Sequence, residues 1–251
     1  MEKNDLIVLN EFIYHLYDET DFTTLRRRIV KDIKRLIPCS YASILLADPD
    51  SATPIYRDPV CDPEDFSALE NEYIQLSGAD HTIWSAEAGR PSVLRESSLL
   101  TDEKRLSTPI YRLCYSKRDI YDTLQSNIIY EGKCLGVMTL YRTRTEGAFT
   151  DEDVLLMDMI HTHLRRIFKK ATDGQNTDQE SQRVKKLAIQ YLLSTRETEI
   201  LGLLLTGKPD SEITEKLSIS TGTLKKHMQH IYRKMGISSR WELLRFTVQN
   251  S

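Results

Sequence analysis

With 251 residues, 40% hydrophobic and 28% charged side chains, and only 10 glycines and 8 prolines, the chain has the composition of two modest globular domains, not of a disordered or fibrous protein. No window approaches the ~18 uninterrupted apolar residues of a membrane span, and the polar start Met1-Glu2-Lys3-Asn4-Asp5 is unlike a signal sequence, so a cytoplasmic protein without membrane contact is expected. The net charge of −3 hides a division: from Arg183 onward 12 Lys/Arg stand against 6 Asp/Glu, and the excess of acid lies in the remainder, so only the basic end is expected to meet a polyanion.

Helical periodicity begins after Asp21, a candidate N-cap, with Phe22, Leu25, Ile29, Ile33 and Leu36 at three- and four-residue steps until Pro38. Tyr41 to Ala47 is a short apolar run of the kind that forms a buried strand, closed by Asp48-Pro49-Asp50. Pro54 to Pro63 reads as strand and loop, and Pro63 suits the first turn of a helix carrying Phe66, Leu69, Tyr73, Ile74 and Leu76. The middle predicts a short helix near Trp84, a strand over Ser92 to Arg95 and a polar loop around Thr101 to Arg105.

The strongest β signal is a hairpin, Asp122 to Tyr130 and Cys134 to Arg142, joined through Glu131-Gly132-Lys133. A helix follows, opened by Thr150 and Asp153 at capping-box spacing and striped by Val154, Met157, Ile160, Leu164 and Ile167. The polar stretch Ala171 to Gln182 reads as a linker, which divides the chain into residues 1–170, a linker and connecting helix over 171–189, and a second domain over 190–251. Cys39, Cys61, Cys114 and Cys134 form no Cys-x-x-Cys pair, so neither a zinc site nor a disulfide framework is expected.

Four helices are predicted in the last 57 or so residues. Ser194 and Glu197 begin the first, which ends near Gly207; Pro209 or Asp210 opens a short second one with Ile213 and Leu217 inward. Ser218-Ile219 turns the chain, Ser220 or Thr221 caps a third helix to about Lys234, and Ser239 with Glu242 opens the fourth. Placed at about 100° per residue, Leu224, Met228, Ile231 and Met235 of the third helix form one stripe, and Lys225, Lys226, Gln229 and Arg233 gather opposite. A short helix, a tight turn and a helix with one apolar and one cationic face make a helix-turn-helix, whose second helix can enter a DNA major groove.

Two family resemblances follow from these residues. Glu131-Gly132-Lys133, Leu135-Gly136-Val137-Met138 and Gly147-x-Phe149-x-x-Glu152-Asp153 before a helix resemble the GAF domain family. That resemblance implies an antiparallel sheet backed by the first and last helices, with the segment from Trp84 to Tyr121 over a ligand pocket; a pocketless dimerisation scaffold remains the alternative. Leu193-Ser194-x-Arg196-Glu197-x-Glu199-Ile200-Leu201, Gly207, Glu212-Ile213, Leu217-x-Ile219-Ser220-x-x-Thr223-Leu224-Lys225-x-His227 and Ile231-Tyr232-x-Lys234-Met235-Gly236-Ile237-x-Ser239-Arg240 resemble the LuxR (NarL) type of DNA-binding domain. Thr214 departs from that pattern, where alanine is usual. The fold class implied is α+β, a GAF-like domain followed by an all-α four-helix domain.

By the second resemblance Lys225, Lys226 and Gln229 face base edges, and Thr221, Thr223, Arg233 and Lys234 hold phosphates of double-stranded DNA. One such module makes few base contacts, so a homodimer on a two-fold site is expected. Leu243 and Phe246, apolar on a flank of the last helix away from Trp241, Leu244 and Val248, are the candidate dimer surface. A phosphoacceptor receiver is excluded by the opening helices and the missing βα repeat, and the signature of acyl-homoserine-lactone receptors cannot be placed. No Gly-x-Ser-x-Gly, phosphate-binding glycine loop or His-Glu-x-x-His points to an enzyme, a cofactor or a metal. His161 and His163, two apart on a helix, diverge and are read as buried or interfacial. A transcription regulator with DNA affinity set by a small effector is the reading these residues favour, against a constitutive dimeric DNA binder.

Overall fold

In the computed structural model, which describes residues 3–48, 51 and 53–249, strand alternation sorts the first half of the chain onto two sides of one sheet. The strands are β1 (Tyr41–Ala47), β2 (Tyr56–Asp62), β3 (Ser92–Arg95), β4 (Ile120–Tyr130) and β5 (Lys133–Thr143), ordered β2-β1-β5-β4-β3 and antiparallel throughout. Helices α1 (Lys3–Asp18) and α2 (Phe22–Asp32) precede β1, and α3 (Ser67–Leu76), α4 (Ile83–Glu87), α5 (Asp102–Leu106) and α6 (Pro109–Leu113) lie between β2 and β4. The long α7 (Asp151–Gln190) follows β5.

On one side of the three central strands, Ile44 and Leu46, Leu124 and Ile128, and Met138 and Leu140 pack with Leu9, Ile29, Met157 and Ile160 of α1, α2 and α7. Odd-numbered positions face the other way, into a second cluster with Phe66, Leu69 and Tyr73 around α3 and with Ile110 and Tyr115. Gly136 is where sheet and helix approach most closely, since a Cβ there would lie 2.5 Å from the Leu45 carbonyl oxygen and 2.9 Å from Phe168 Cε1. The β4–β5 turn is tighter than the sequence implied: Glu131 (φ 49) and Gly132 (φ 79) form a two-residue turn, and Lys133 already pairs with Tyr130.

Three other elements differ from the sequence reading. Helix α1 buries Leu9, Phe12 and Leu16, a stripe blurred in the sequence by Leu6, Ile7, Tyr14 and Tyr17, which are exposed on the same helix. Residues 102–106 are helical, not a loop, with Arg105 turned inward. The stretch 171–182 is part of α7, because its single glycine, Gly174, and its proline-free run of helix-tolerant polar residues contain no stop signal.

The chain divides into two units, Met1–Thr172 and Asp173–Ser251. The second holds the end of α7 and then α8 (Thr195–Leu205), α9 (Asp210–Leu217), α10 (Thr221–Met235) and α11 (Arg240–Gln249) around a core of Val184, Ile200, Leu204, Ile213, Leu224 and Ile231. Ser194 and Glu197 make a full capping box on α8, and Ser220 caps α10 through the Thr223 N–H. Ser218 at the end of α9 and Gly236 at the end of α10 are left-handed, which ends each helix sharply. Thr214, where alanine was the family's usual residue, is accommodated by donating its hydroxyl to the Ser211 carbonyl at 2.8 Å.

The faces of α11 are the reverse of those expected. Leu243 is 0% exposed and belongs to the core, whereas Trp241 is 63% exposed with the Arg245 guanidinium 4.6 Å from its ring centre. Arg240 sets this phase by donating to Asp210 Oδ1 and to the Leu204 carbonyl, which turns Leu243, three residues on, toward the same neighbours. Leu243 is therefore withdrawn as a dimer contact; the side chains of Phe246, Leu244 and Val248 lie outside those described.

Candidate nucleic-acid interface and a buried polar face

Helix α10 is held by its apolar side, with Leu224 and Ile231 fully buried and Met235 nearly so. At four-residue intervals round the other side come Thr221, Lys225, Gln229 and Arg233, all exposed, with Lys226 exposed beside them. Thr223, also exposed, is tied to the start of the helix by its hydroxyl, 2.9 Å from Ser220 Oγ.

The cations that hold the helices of the second unit together are paired. Arg196 bonds Glu199 and the Leu217 carbonyl, Lys208 bonds Glu212, and Arg240 bonds Asp210. Lys234 donates to Glu197 Oε2 at 2.6 Å and to the Leu192 carbonyl at 2.9 Å, so it fastens α10 to α8 and is not the free phosphate contact the sequence suggested. Burial alone would raise the Glu197 carboxyl, but hydrogen bonds from Lys234 and Ser194 hold it down to about 2. Lys225, Lys226 and Arg233 have no ion pair among the described residues. His227 is half-buried, and His230 is exposed with Nδ1 3.9 Å from Glu197 Oε1. The arrangement is one helix with three uncompensated cations and an amide along its outer ridge, matched in width to a major groove of about 12 Å.

The first unit carries a feature that the sequence reading missed. The odd-numbered side of the sheet is polar as well as buried: Ser43, Thr123, Gln125, Asn127 and Thr139 all sit there. A chain of hydrogen bonds crosses it. Tyr73 donates to Asp80 Oδ2 at 2.7 Å, Thr82 donates its N–H to Asp80 Oδ1 and its hydroxyl to Gln125 Oε1, Gln125 donates to Asn127, and Asn127 donates to Ser85 and Ser92. Nearby, Tyr141 donates to Glu70 Oε1 at 2.6 Å while Glu70 Oε2 has no partner, and Glu96, reached by the Thr123 hydroxyl, is pushed up to about 8, chiefly by burial. The only sequence sign of this was the run of Thr, Gln and Asn on alternate positions of a predicted strand, which periodicity counts as ordinary β alternation.

Other sequence candidates take structural places. His161 is buried with Nδ1 2.7 Å from Ser126 Oγ, and His163 Nδ1 lies 2.9 Å from the Tyr17 hydroxyl; burial lowers both imidazoles. All four cysteines are free thiols, and burial pushes Cys39 and Cys114 up to about 12. Among the described residues no group of three or more His, Cys, Asp or Glu is placed to hold a metal, and no helix is long and apolar enough to cross a membrane.

Fold and site together define a two-part DNA-binding regulator, an α+β unit joined in sequence to a helix-turn-helix unit. The chain belongs to the GAF domain family over residues 21–166 and to the bacterial regulatory proteins of the luxR family over residues 191–247. It is 41% identical over 58 residues to the oxygen regulatory protein NreC of Staphylococcus aureus, a match covering 23% of this chain and 27% of that protein, so it spans only about a quarter of either. The GAF domains of phosphoenolpyruvate-protein phosphotransferases from Coxiella burnetii (TM-score 0.50, 15% identity, covering 69% of this chain and 97% of that one) and Acinetobacter (0.50, 11%, 70% and 99%) share the fold of the first unit.

Proposed function

We propose that this DNA-binding regulator acts in the cytoplasm as a homodimer on a two-fold duplex site, and that a small molecule on the buried polar face of its GAF unit changes its affinity for DNA. Lys225, Lys226 and Gln229 read base edges, lysine donating to guanine and glutamine pairing with adenine, while Thr221, Thr223 and Arg233 hold phosphates. The single observation that carries this reading is the ridge of α10, where Lys225, Lys226 and Arg233 stand exposed together on the side opposite the buried Leu224 and Ile231, with no ion pair among the described residues. Two modules spaced by a helical turn, about 34–36 Å, supply the specificity that one lacks.

The test is selection of a binding site from random duplexes, followed by titration of single variants. Lys225→Ala and Gln229→Ala should each weaken binding to the selected site by about 1–3 kcal/mol and relax preference at one base position. Arg233→Ala should weaken selected and unrelated duplexes alike. Unchanged affinity in Lys225→Ala and Lys226→Ala together would overturn the assignment of α10. The rival reading, a constitutive dimer, draws on the internal hydrogen bonding of Asp80, Thr82, Gln125 and Asn127, which satisfies that network without a ligand. It stands if no addition to the purified protein alters DNA affinity.

A further inference from the structure

We propose that the ligand of the GAF unit is an organic ammonium ion, seated between the Asp80 and Glu96 carboxylates against the rings of Tyr73 and Tyr115. The proposal rests on the ligand-responsive reading above and specifies its chemistry.

The charges come first. Asp80, Glu96 and Glu70 are all buried on the same side of the sheet, and the one buried arginine near them, Arg105, is shared with Asp102 and packed on the Tyr121 ring. Buried carboxylates in this number need positive charge or protons. Glu70, 1% exposed, leaves Oε2 without a hydrogen-bond donor.

His81 marks where a cation fits. Its ring lies between the acids, Nε2 3.3 Å from Glu96 Oε1 and Nδ1 3.8 Å from Asp80 Oδ1, yet neither nitrogen makes a hydrogen bond. Because the imidazole is partly exposed and unbonded, an ammonium group can displace it and donate to both carboxylates at full hydrogen-bond geometry. Aromatic rings complete the setting. Tyr73 and Tyr115 stack with centroids 6.4 Å apart, Tyr56 lies 6.5 Å from Tyr73, and Tyr115 meets Tyr141 edge to face at 5.8 Å. Ring faces attract cations, most strongly where water is excluded. An anion gains none of this attraction from the ring faces.

Proton release is the corollary. Glu96 faces Arg105, Asp80, Asp122, His81 and Thr123, and burial pushes its carboxyl up to about 8. An ammonium beside it favours the carboxylate, so binding near neutral pH expels a proton.

The experiment is calorimetry on the full chain with phenethylamine, putrescine and benzylamine, and with 3-phenylpropionate as the anion of matched shape. At least one of the three cations should bind below about 10 mM and raise the unfolding temperature. For phenethylamine or putrescine the apparent enthalpy should change with buffer ionisation enthalpy in the sense of proton release, and Glu96→Gln should weaken binding at least about tenfold. The enthalpy arm uses the unaltered protein, so poor folding of the variant does not blunt the test. If 3-phenylpropionate binds and none of the cations does, the ammonium assignment falls while ligand control of DNA binding survives. If none of the four binds while the α10 variants behave as expected, the ammonium assignment falls and the constitutive reading of the GAF unit gains. Equal binding by Glu96→Gln places the amine elsewhere and overturns the proposal.

Discussion

Glu197 shows how much one side chain can carry in the DNA-binding unit. Its carboxylate closes the capping box of α8 with Ser194 and holds Lys234 of α10, so it ties α10 to α8 beside the apolar contacts. The carboxyl is depressed from 4.5 to about 2, so its contribution to stability is whole above 4.5 and is lost as pH falls through about 2. Glu197→Gln is expected to destabilise the unit by about 1–3 kcal/mol at neutral pH and to flatten its acid dependence over that window, read by hydrogen exchange of the α8 and α10 amides. A wild-type acid profile in the variant would show that Glu197 is not the linkage. Gly136 makes the complementary case in the first unit. Gly136→Ala places a methyl against the Leu45 carbonyl and the Phe168 ring and is expected to cost about 1–3 kcal/mol, measured by denaturant unfolding.

Helix starts in the second unit behaved as their sequences said, because capping is a local contract between neighbours. Ser194 and Ser220 each accept from the N–H three residues on, and both were visible as cap residues before any fold was known. Ser220→Ala should lower stability by about 0.5–2 kcal/mol and loosen the first turn of α10, where Thr221 and Thr223 sit, with a matching loss of DNA affinity. A drop in stability with affinity unchanged would place those threonines off the phosphates. Helix α7 is the element on which local signals misled. Polarity over 171–182 was read as a linker, yet polarity describes an exposed helix equally well, and only Gly174 weakens it. Gly174→Ala, with open space around the new methyl, is expected to increase stability by up to about 1 kcal/mol; a loss of stability there would show that residue 174 is not helical in solution.

Across the whole molecule, charge is distributed by task. The basic excess from Arg183 onward contains the unpaired ridge of α10, and the acidic remainder contains the carboxylates of the GAF unit. Affinity for duplex should therefore fall steeply with salt, with a slope of about −0.9 per phosphate neutralised, and replacing Arg233 should make it shallower by about one unit. Tight binding insensitive to salt would contradict the electrostatic role of the ridge.

The sequence by itself determined the two-domain plan, the hairpin, the helix caps and the two-sided character of α10, because each is written in residues within one or two turns of each other. The tertiary structure alone decided which cations remain free, since pairing Lys234 with Glu197 or Arg240 with Asp210 joins residues some thirty or more positions apart. It also decided the phase of α11, which turns Leu243 inward and leaves Trp241 to solvent, and it gathered Asp80, His81 and Glu96 around one buried face. Local patterning fixes which surfaces an element offers; only packing fixes what each surface meets.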